Sequence, residues 1–334
     1  MKSIVKILVW IAAPAGAVFA QSKTMDVSPH TVQFITVAPD VKLQVLDWGG
    51  VGRPLVFLAG LGGTAHGFDT FALRFTGKYH VYGITRRGYP PSDTPEPAGE
   101  NYAADRLGDD VLSVLDQLHI VRPVLIAHSF GGEELSSIGS RFPQRVAGLI
   151  YLDATYRYAF SPPDRGDFQI DTLELKRRLD AVLNAISPAE TGAAIDGVLS
   201  ALPQYLTDLN EEKKLWAAAP DMSPADYSAA LKEHRTSAGK IETAALHGER
   251  RYTEIRCPVL AIVALPKDHG LAPGPKRDVA DARDLHEFGP LADDFEKGVP
   301  TARVVRIAHA KHAVYESNES EVVHEMETFL AGLK

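Results

Sequence analysis

With 334 residues, 45% hydrophobic and 23% charged, the chain carries enough apolar material for one large folded core, and its composition excludes a disordered or fibrous protein. The formal charge of −8 is spread along the sequence without a basic run, which argues against nucleic acid as a partner. Cys257 is the only cysteine, so no intramolecular disulfide can form; placed before Pro258 and an apolar run, it reads as a buried packing thiol.

Lys2 and Lys6 precede an apolar stretch over 7–20 that closes on Val18-Phe19-Ala20. A charged start, a short apolar run and a small residue before the cut predict a signal peptide over 1–20 and an exported chain, periplasmic or secreted. The run falls short of the ~18 residues of a membrane-spanning helix, so no stable membrane insertion is expected after cleavage; an uncleaved anchor is the alternative. Next, two alternating segments over 31–48 flank Pro39-Asp40 and predict an antiparallel hairpin. Short apolar runs at 55–59, 81–84, 124–127, 149–152, 259–265 and 304–308 predict buried parallel strands, with helical patterns such as 105–118 and 133–141 between them. Strands alternating with helices predict an α/β fold: a mostly parallel sheet with helices on both faces. From 155 to 254 strand-like runs stop and helical patterns at 173–186, 209–219 and 225–238 follow one another. The chain therefore divides into a first core part (21–154), a helical cap insertion (155–254) and a second core part (255–334).

The strongest chemical signal is Val124-Leu125-Ile126-Ala127-His128-Ser129-Phe130-Gly131-Gly132. An apolar strand ends in small-x-Ser-x-Gly and passes at once into a helical pattern, the context in which a serine is lifted above a sheet edge on a tight turn. Small residues flank the serine because bulky side chains would collide there. Ala127 stands where glycine is more usual.

These residues resemble the α/β-hydrolase superfamily, its serine-nucleophile, esterase-like branch, and the likeness extends over nearly the whole chain after the leader. Leu58-Ala59-Gly60-Leu61-Gly62-Gly63 resembles the loop that supplies half of that family's oxyanion hole, although Ala59-Gly60 replaces the frequent His-Gly. The resemblance implies backbone N–H donors at Leu61 and Phe130. Thr85-Arg86-Arg87-Gly88-Tyr89 resembles the segment after the fourth strand, and the region 149–154 the sixth strand and its exit. Within this order the base follows the nucleophile near the end of the chain. His312, just past the last strand, takes that place, with His309 as alternative. The two histidines have no nearby Asp, Glu or Cys in sequence and make a poor metal site. For the acid, Asp268 follows the 259–265 strand in the family's usual position; Asp153, at the end of the 149–152 strand, is the alternative acid.

The expected chemistry is attack of Ser129 on a carbonyl with His312 as general base and a carboxylate orienting the imidazole, which requires no cofactor and no metal. Cleavage of a carboxylic ester is the first expectation. Alternatives are lactone, amide or carbon–carbon bond hydrolysis, cofactor-free haloperoxidase or lyase activity by the same triad, and a non-catalytic small-molecule binder. Epoxide hydrolases and haloalkane dehalogenases of this fold use an aspartate nucleophile, which serine at 129 argues against. The partner expected is a small ester-like molecule. Phe160, Phe168 and Trp216 are candidate pocket residues, or else packing within the insertion. For Arg86 and Arg87 ion pairing within the loop is expected rather than substrate binding, and Glu133 and Glu134 suit a helix start.

Overall fold

A computed structural model describes residues 28–163, 165–218 and 223–334; the leader expected over 1–20 lies outside the described residues, as does the side chain of Trp216. Eight strands form one sheet in the order β1-β2-β4-β3-β5-β6-β7-β8. They are β1 Thr31–Ala38, β2 Val41–Gly49, β3 Pro54–Leu58, β4 His80–Ile84, β5 Val124–His128, β6 Gly148–Leu152, β7 Val259–Ala264 and β8 Ala302–Ile307. The first two strands form the expected hairpin and join β4 antiparallel; all later pairings are parallel.

Every residue of β5, β6 and β7 is buried, which is why these strands are unbroken apolar runs. Alternate side chains feed the two faces. Leu125 and Ala127 join a core completed by Leu107, Val111 and Leu115 of α1 (Ala104–Gln117) and Leu135 and Ile138 of α2 (Gly132–Arg141). Val124 and Ile126 face the opposite core, where Phe57, Phe68, Phe71 and Phe75 meet Val322, Met326 and Leu330 of the C-terminal helix Glu319–Gly332. Burial of this apolar surface supplies most of the driving force for folding.

Between β6 and β7 lie α3 (Phe168–Asn184), α4 (Pro188–Ala218), α5 (Pro224–His234) and α6 (Ser237–His247). Asp167, Ser223 and Thr236 each cap the following helix by accepting a backbone N–H. The 209–219 pattern is the end of a much longer helix that runs through Pro203. Helix α6 returns to the sheet, burying Ile241, Ala245 and Leu246 in the first core. Arg251 and Asp171, 2.5 Å apart, and Gln169 and Glu249, at 2.9 Å, tie α3 to the segment that leads back into β7. Two further helices, α7 (Pro275–Glu287) and α8 (Gly289–Gly298), occupy the stretch between β7 and β8. No helix among the described residues is long and apolar enough to cross a membrane.

Candidate active site at the carboxyl edge of the sheet

Strand β5 stops at His128, and Ser129 takes a left-handed backbone with φ of 51° before the chain enters a short 3-10 turn and α2. That conformation is strained for a residue with a Cβ and costs of order 1–3 kcal/mol, which the flanking packing has to hold. The packing leaves no room for larger neighbours. A Cβ at Gly131 would lie 3.0 Å from Ala127 Cβ and from the Ala59 carbonyl oxygen, and one at Gly132 only 2.4 Å from the Ala154 oxygen. The small residues around Ser129 are therefore required by contact with the loop after β3 and the exit of β6.

His312 Nε2 lies 2.9 Å from Ser129 Oγ, and Nδ1 of the same ring lies 2.6 Å from Asp153 Oδ2. The three side chains form one hydrogen-bonded line from a partly exposed hydroxyl to a buried carboxylate. The acid on His312 is thus Asp153, and the expectation of Asp268 is corrected. Register explains why. His128 of β5 pairs with Leu152 of β6, so Ser129 and Asp153 leave adjacent strands at the same level. Leu152 in turn pairs with Ile262 of β7, which places Asp268 several residues beyond that level. Strands β7 and β8 stay joined through Lys267 and Ala310, and the Asp268 N–H donates to the Ala310 carbonyl. The exposed Asp268 carboxylate closes a turn by accepting the Gly270 N–H at 2.8 Å.

Asp153 also has a left-handed backbone, φ 44°, and its own N–H donates to the Ile262 carbonyl at 2.7 Å. Its Oδ1 accepts the Ala264 N–H at 3.2 Å, while Oδ2 accepts from the Tyr156 hydroxyl at 3.2 Å as well as from His312. The Lys267 ammonium stands 3.8 Å from Oδ2. Burial acts to raise the Asp153 pKa, but Lys267 and the bond to His312 outweigh it and hold the carboxyl below its ordinary value.

His128 packs against His312 with ring centroids 4.5 Å apart, and its Nε2 donates to the His312 carbonyl at 3.1 Å. Burial, reinforced by the neighbouring His312, pushes its pKa down to about 3, so it is neutral and serves to hold the His312 loop. Arg86 pins the opposite side of the crevice. Its guanidinium makes a two-pronged pair with Glu134, at 2.7 and 2.8 Å, and donates to the Ala59 and Gly60 carbonyls. Because a peptide unit is planar and trans, fixing the Gly60 C=O also fixes the Leu61 N–H in the opposite direction. Phe130 sits in the first turn after Ser129, where backbone N–H groups have no intrahelical acceptor. A Cβ at Gly60 would come 3.0 Å from Ser129 Cβ, so this loop abuts the serine directly. Arg87 is buried in a pair with Asp110 at 2.6 Å; both arginines are ion-paired, though with carboxylates of α2 and α1 and not within their own loop as expected.

Other candidates sit elsewhere. His309 Nδ1 lies 3.7 Å from Asp281 of α7, away from the serine. Phe160 is buried against Phe295, and Phe168 stacks on Tyr205 within the insertion, so both are packing residues. Glu133 is wholly buried in the first turn of α2, and neither of its oxygens has a donor among the described residues. Burial, followed by the charges of Glu249 and Glu134, raises its pKa well above the ordinary value. Three contributors escaped the sequence reading: Tyr156, Lys267 and Tyr158, whose buried ring lies 5.3 Å from that of Phe130. No periodicity or motif marks them; only their closeness to residues already singled out could have drawn notice.

A sequence model described as the alpha/beta hydrolase family matches residues 55–325. Among curated proteins, the chain is 30% identical over 142 residues to an sn-1-specific diacylglycerol lipase ABHD11 of Xenopus laevis, covering 42% of this chain and 43% of that protein. It is 32% identical over 120 residues to epoxide hydrolase 4 of Mus musculus, covering 34% and 32%. The matches thus span less than half the length of these relatives. In fold it is similar to a Bacillus megaterium epoxide hydrolase, with a TM-score of 0.54, 19% identity, and 90% of this chain and 100% of that one covered. With the family's sequence pattern running from β3 into the last helix, and the sheet carrying a serine at the sharp bend after β5, this chain belongs to the α/β-hydrolase family.

Proposed function

We propose that the protein is an exported serine hydrolase that cleaves carboxylic esters through an acyl-enzyme on Ser129, with His312 as general base and Asp153 as the acid. The observation that carries this reading is the continuous line Ser129 Oγ, His312 Nε2, His312 Nδ1, Asp153 Oδ2, with separations of 2.9 and 2.6 Å. A serine hydroxyl is a weak nucleophile at neutral pH. As Oγ bonds to the ester carbon, its proton passes to His312, and Asp153 stabilises the imidazolium that forms. The carbonyl oxygen gains negative charge and accepts from the Leu61 and Phe130 N–H groups, each donor contributing about 3 kcal/mol in the transition state. Collapse expels the alcohol, which takes the proton from His312. Water, activated in turn by His312, then attacks the acyl carbon and restores Ser129. The His312 side chain is 43% exposed, so water reaches it.

The relatives named as epoxide hydrolases raise the obvious competing reaction, and the residue type at 129 argues against it. Ring opening by a hydroxyl would leave an alkyl ether on the serine, with no acyl carbon for water to attack. A carboxylate nucleophile leaves an ester, which water can cleave.

The test is covalent labelling combined with a substrate panel. A fluorophosphonate should modify Ser129, and Ser129→Ala should abolish both labelling and ester turnover while leaving thermal unfolding cooperative. A panel of short- and long-chain esters, lactones, amides and epoxides should show esters turned over first. A folded Ser129→Ala variant that retains turnover overturns the scheme, and a wild-type enzyme active on lactones or amides but inert toward esters overturns the ester assignment.

A further inference from the structure

We propose that Lys267 is a positioning residue for the Ser129–His312–Asp153 line, a cation placed beside the acid's Oδ2 to limit how strongly the carboxylate holds a proton on the imidazole. This rests on the Ser–His–Asp reading above and goes beyond it, because nothing in the sequence pattern assigns this lysine a part.

Lys267 is held in place from four directions. Its backbone N–H donates to Asp284 Oδ2 of α7 at 2.9 Å. Its ammonium donates to the Tyr156 hydroxyl at 2.8 Å and stands 4.1 Å over the Phe288 ring and 5.1 Å over that of Tyr156. It is only 18% exposed, far less than a surface lysine. Asp284 is engaged by that backbone N–H and by His269 Nε2 at 2.6 Å. Among the described residues Asp153 is the carboxylate that pairs with the Lys267 ammonium, at 3.8 Å. Tyr156 bridges the two, accepting from the lysine and donating to Asp153 Oδ2 at 3.2 Å.

The sign of the effect follows from the charges around Asp153. The titratable groups facing it are His128 at the end of β5, Tyr156 and Tyr158 beyond β6, Lys267 beyond β7 and His312 beyond β8, with Asp284 behind Tyr156. His128 is neutral and the tyrosines are protonated, leaving Lys267 as the standing positive charge. A lone buried carboxylate would hold a proton on the imidazole to higher pH and leave less free base for attack on substrate. A cation near the same carboxylate oxygen, Oδ2, opposes this. Removing it should therefore move the acidic limb of activity to higher pH, whereas a lysine that only filled space would alter rate or stability without moving the limb.

The experiment uses the whole protein and a fluorophosphonate probe, so that no choice of ester enters. The second-order rate of Ser129 labelling is measured from about pH 5 to about pH 9 for wild type, Lys267→Met, Lys267→Arg and Tyr156→Phe, the span over which a histidine base titrates. Lys267→Met should shift the acidic limb upward by about half a unit or more, the size expected of one partly solvated charge at this range. Lys267→Arg should return the limb toward wild type. Tyr156→Phe, which removes the hydroxyl donor to Oδ2, should shift it in the same direction as Lys267→Met and decides the matter if that variant does not fold. A folded variant lacking the ammonium or the bridging hydroxyl, with its limb unmoved, overturns the proposal. A wild-type protein that does not label at all overturns the nucleophile reading on which it stands.

Discussion

Replacing Asp153 by asparagine is the most direct test of which acid serves His312. Asparagine keeps an oxygen to accept the Ala264 N–H, and it tolerates the left-handed backbone at φ 44°, so the strand exit should hold. What disappears is the negative charge 2.6 Å from Nδ1. With charge centres about 4 Å apart and an effective dielectric near 20, a carboxylate stabilises an imidazolium by about 4 kcal/mol. That corresponds to roughly a thousandfold in rate. The amide also presents an N–H toward Nδ1 and favours the wrong tautomer, so the expected fall in kcat/KM is about 10³- to 10⁴-fold. Asp268→Asn is the control. Its exposed carboxylate only closes a turn on Gly270, a bond the amide oxygen can also accept, and activity should change by less than about twofold. The assay is kcat/KM on a short-chain ester beside thermal unfolding of each variant. If Asp153→Asn kept most of its activity while Asp268→Asn lost it, the line drawn from Ser129 to Asp153 would have no catalytic meaning.

Arg86→Met should destabilise the protein by about 3–5 kcal/mol, because it strands the buried Glu134 carboxylate, and should lower ester turnover by freeing the Ala59 and Gly60 carbonyls. Adding Glu134→Leu should recover much of the stability but not the activity; denaturant unfolding and ester kinetics read the two effects separately. His128 predicts acid sensitivity. Burial and His312 lower its pKa from 6.5 to about 3, so between these values the unfolded chain binds a proton that the folded one refuses. Its contribution is complete above pH 6.5 and is lost as pH falls toward 3, at up to about 1.4 kcal/mol per unit. Between about pH 7 and about pH 5 the wild type should lose about 2 kcal/mol more than His128→Asn, measured by urea unfolding at each pH.

The strand positions were legible because buried parallel strands are continuous apolar runs, and the serine because a strand, a tight turn and a helix coincide in nine residues. His312 followed from chain order. The acid was harder to read, since Asp153 and Asp268 both follow strands that end at the same edge. Which carboxylate reaches the imidazole depends on register: Asp153 leaves one pairing step after Leu152, while β7 and β8 remain joined as far as Lys267 and Ala310. Inter-strand alignment is a property of the assembled sheet, carried by no local pattern. The same holds for Arg86, whose pairing with Glu134 spans 48 positions, and for α4, which extends far ahead of the 209–219 pattern and packs on α3.

Tyr156 and Tyr158 belong by position to the root of the helical insertion, yet one bonds to Asp153 and the other packs on Phe130, the residue after Ser129. The seam between scaffold and cover therefore runs through the reaction centre. Among the described residues the rest of the insertion is tied to this stem and to the sheet through α3 and the return of α6. A chimera joined immediately after Asp153 would replace the hydroxyl that bonds to Asp153 and the ring packed on Phe130, whereas one joined beyond Phe160 would leave both in place. The join between scaffold and insertion is therefore set by that short tyrosine-bearing stem, which belongs with the sheet and not with the distal helices.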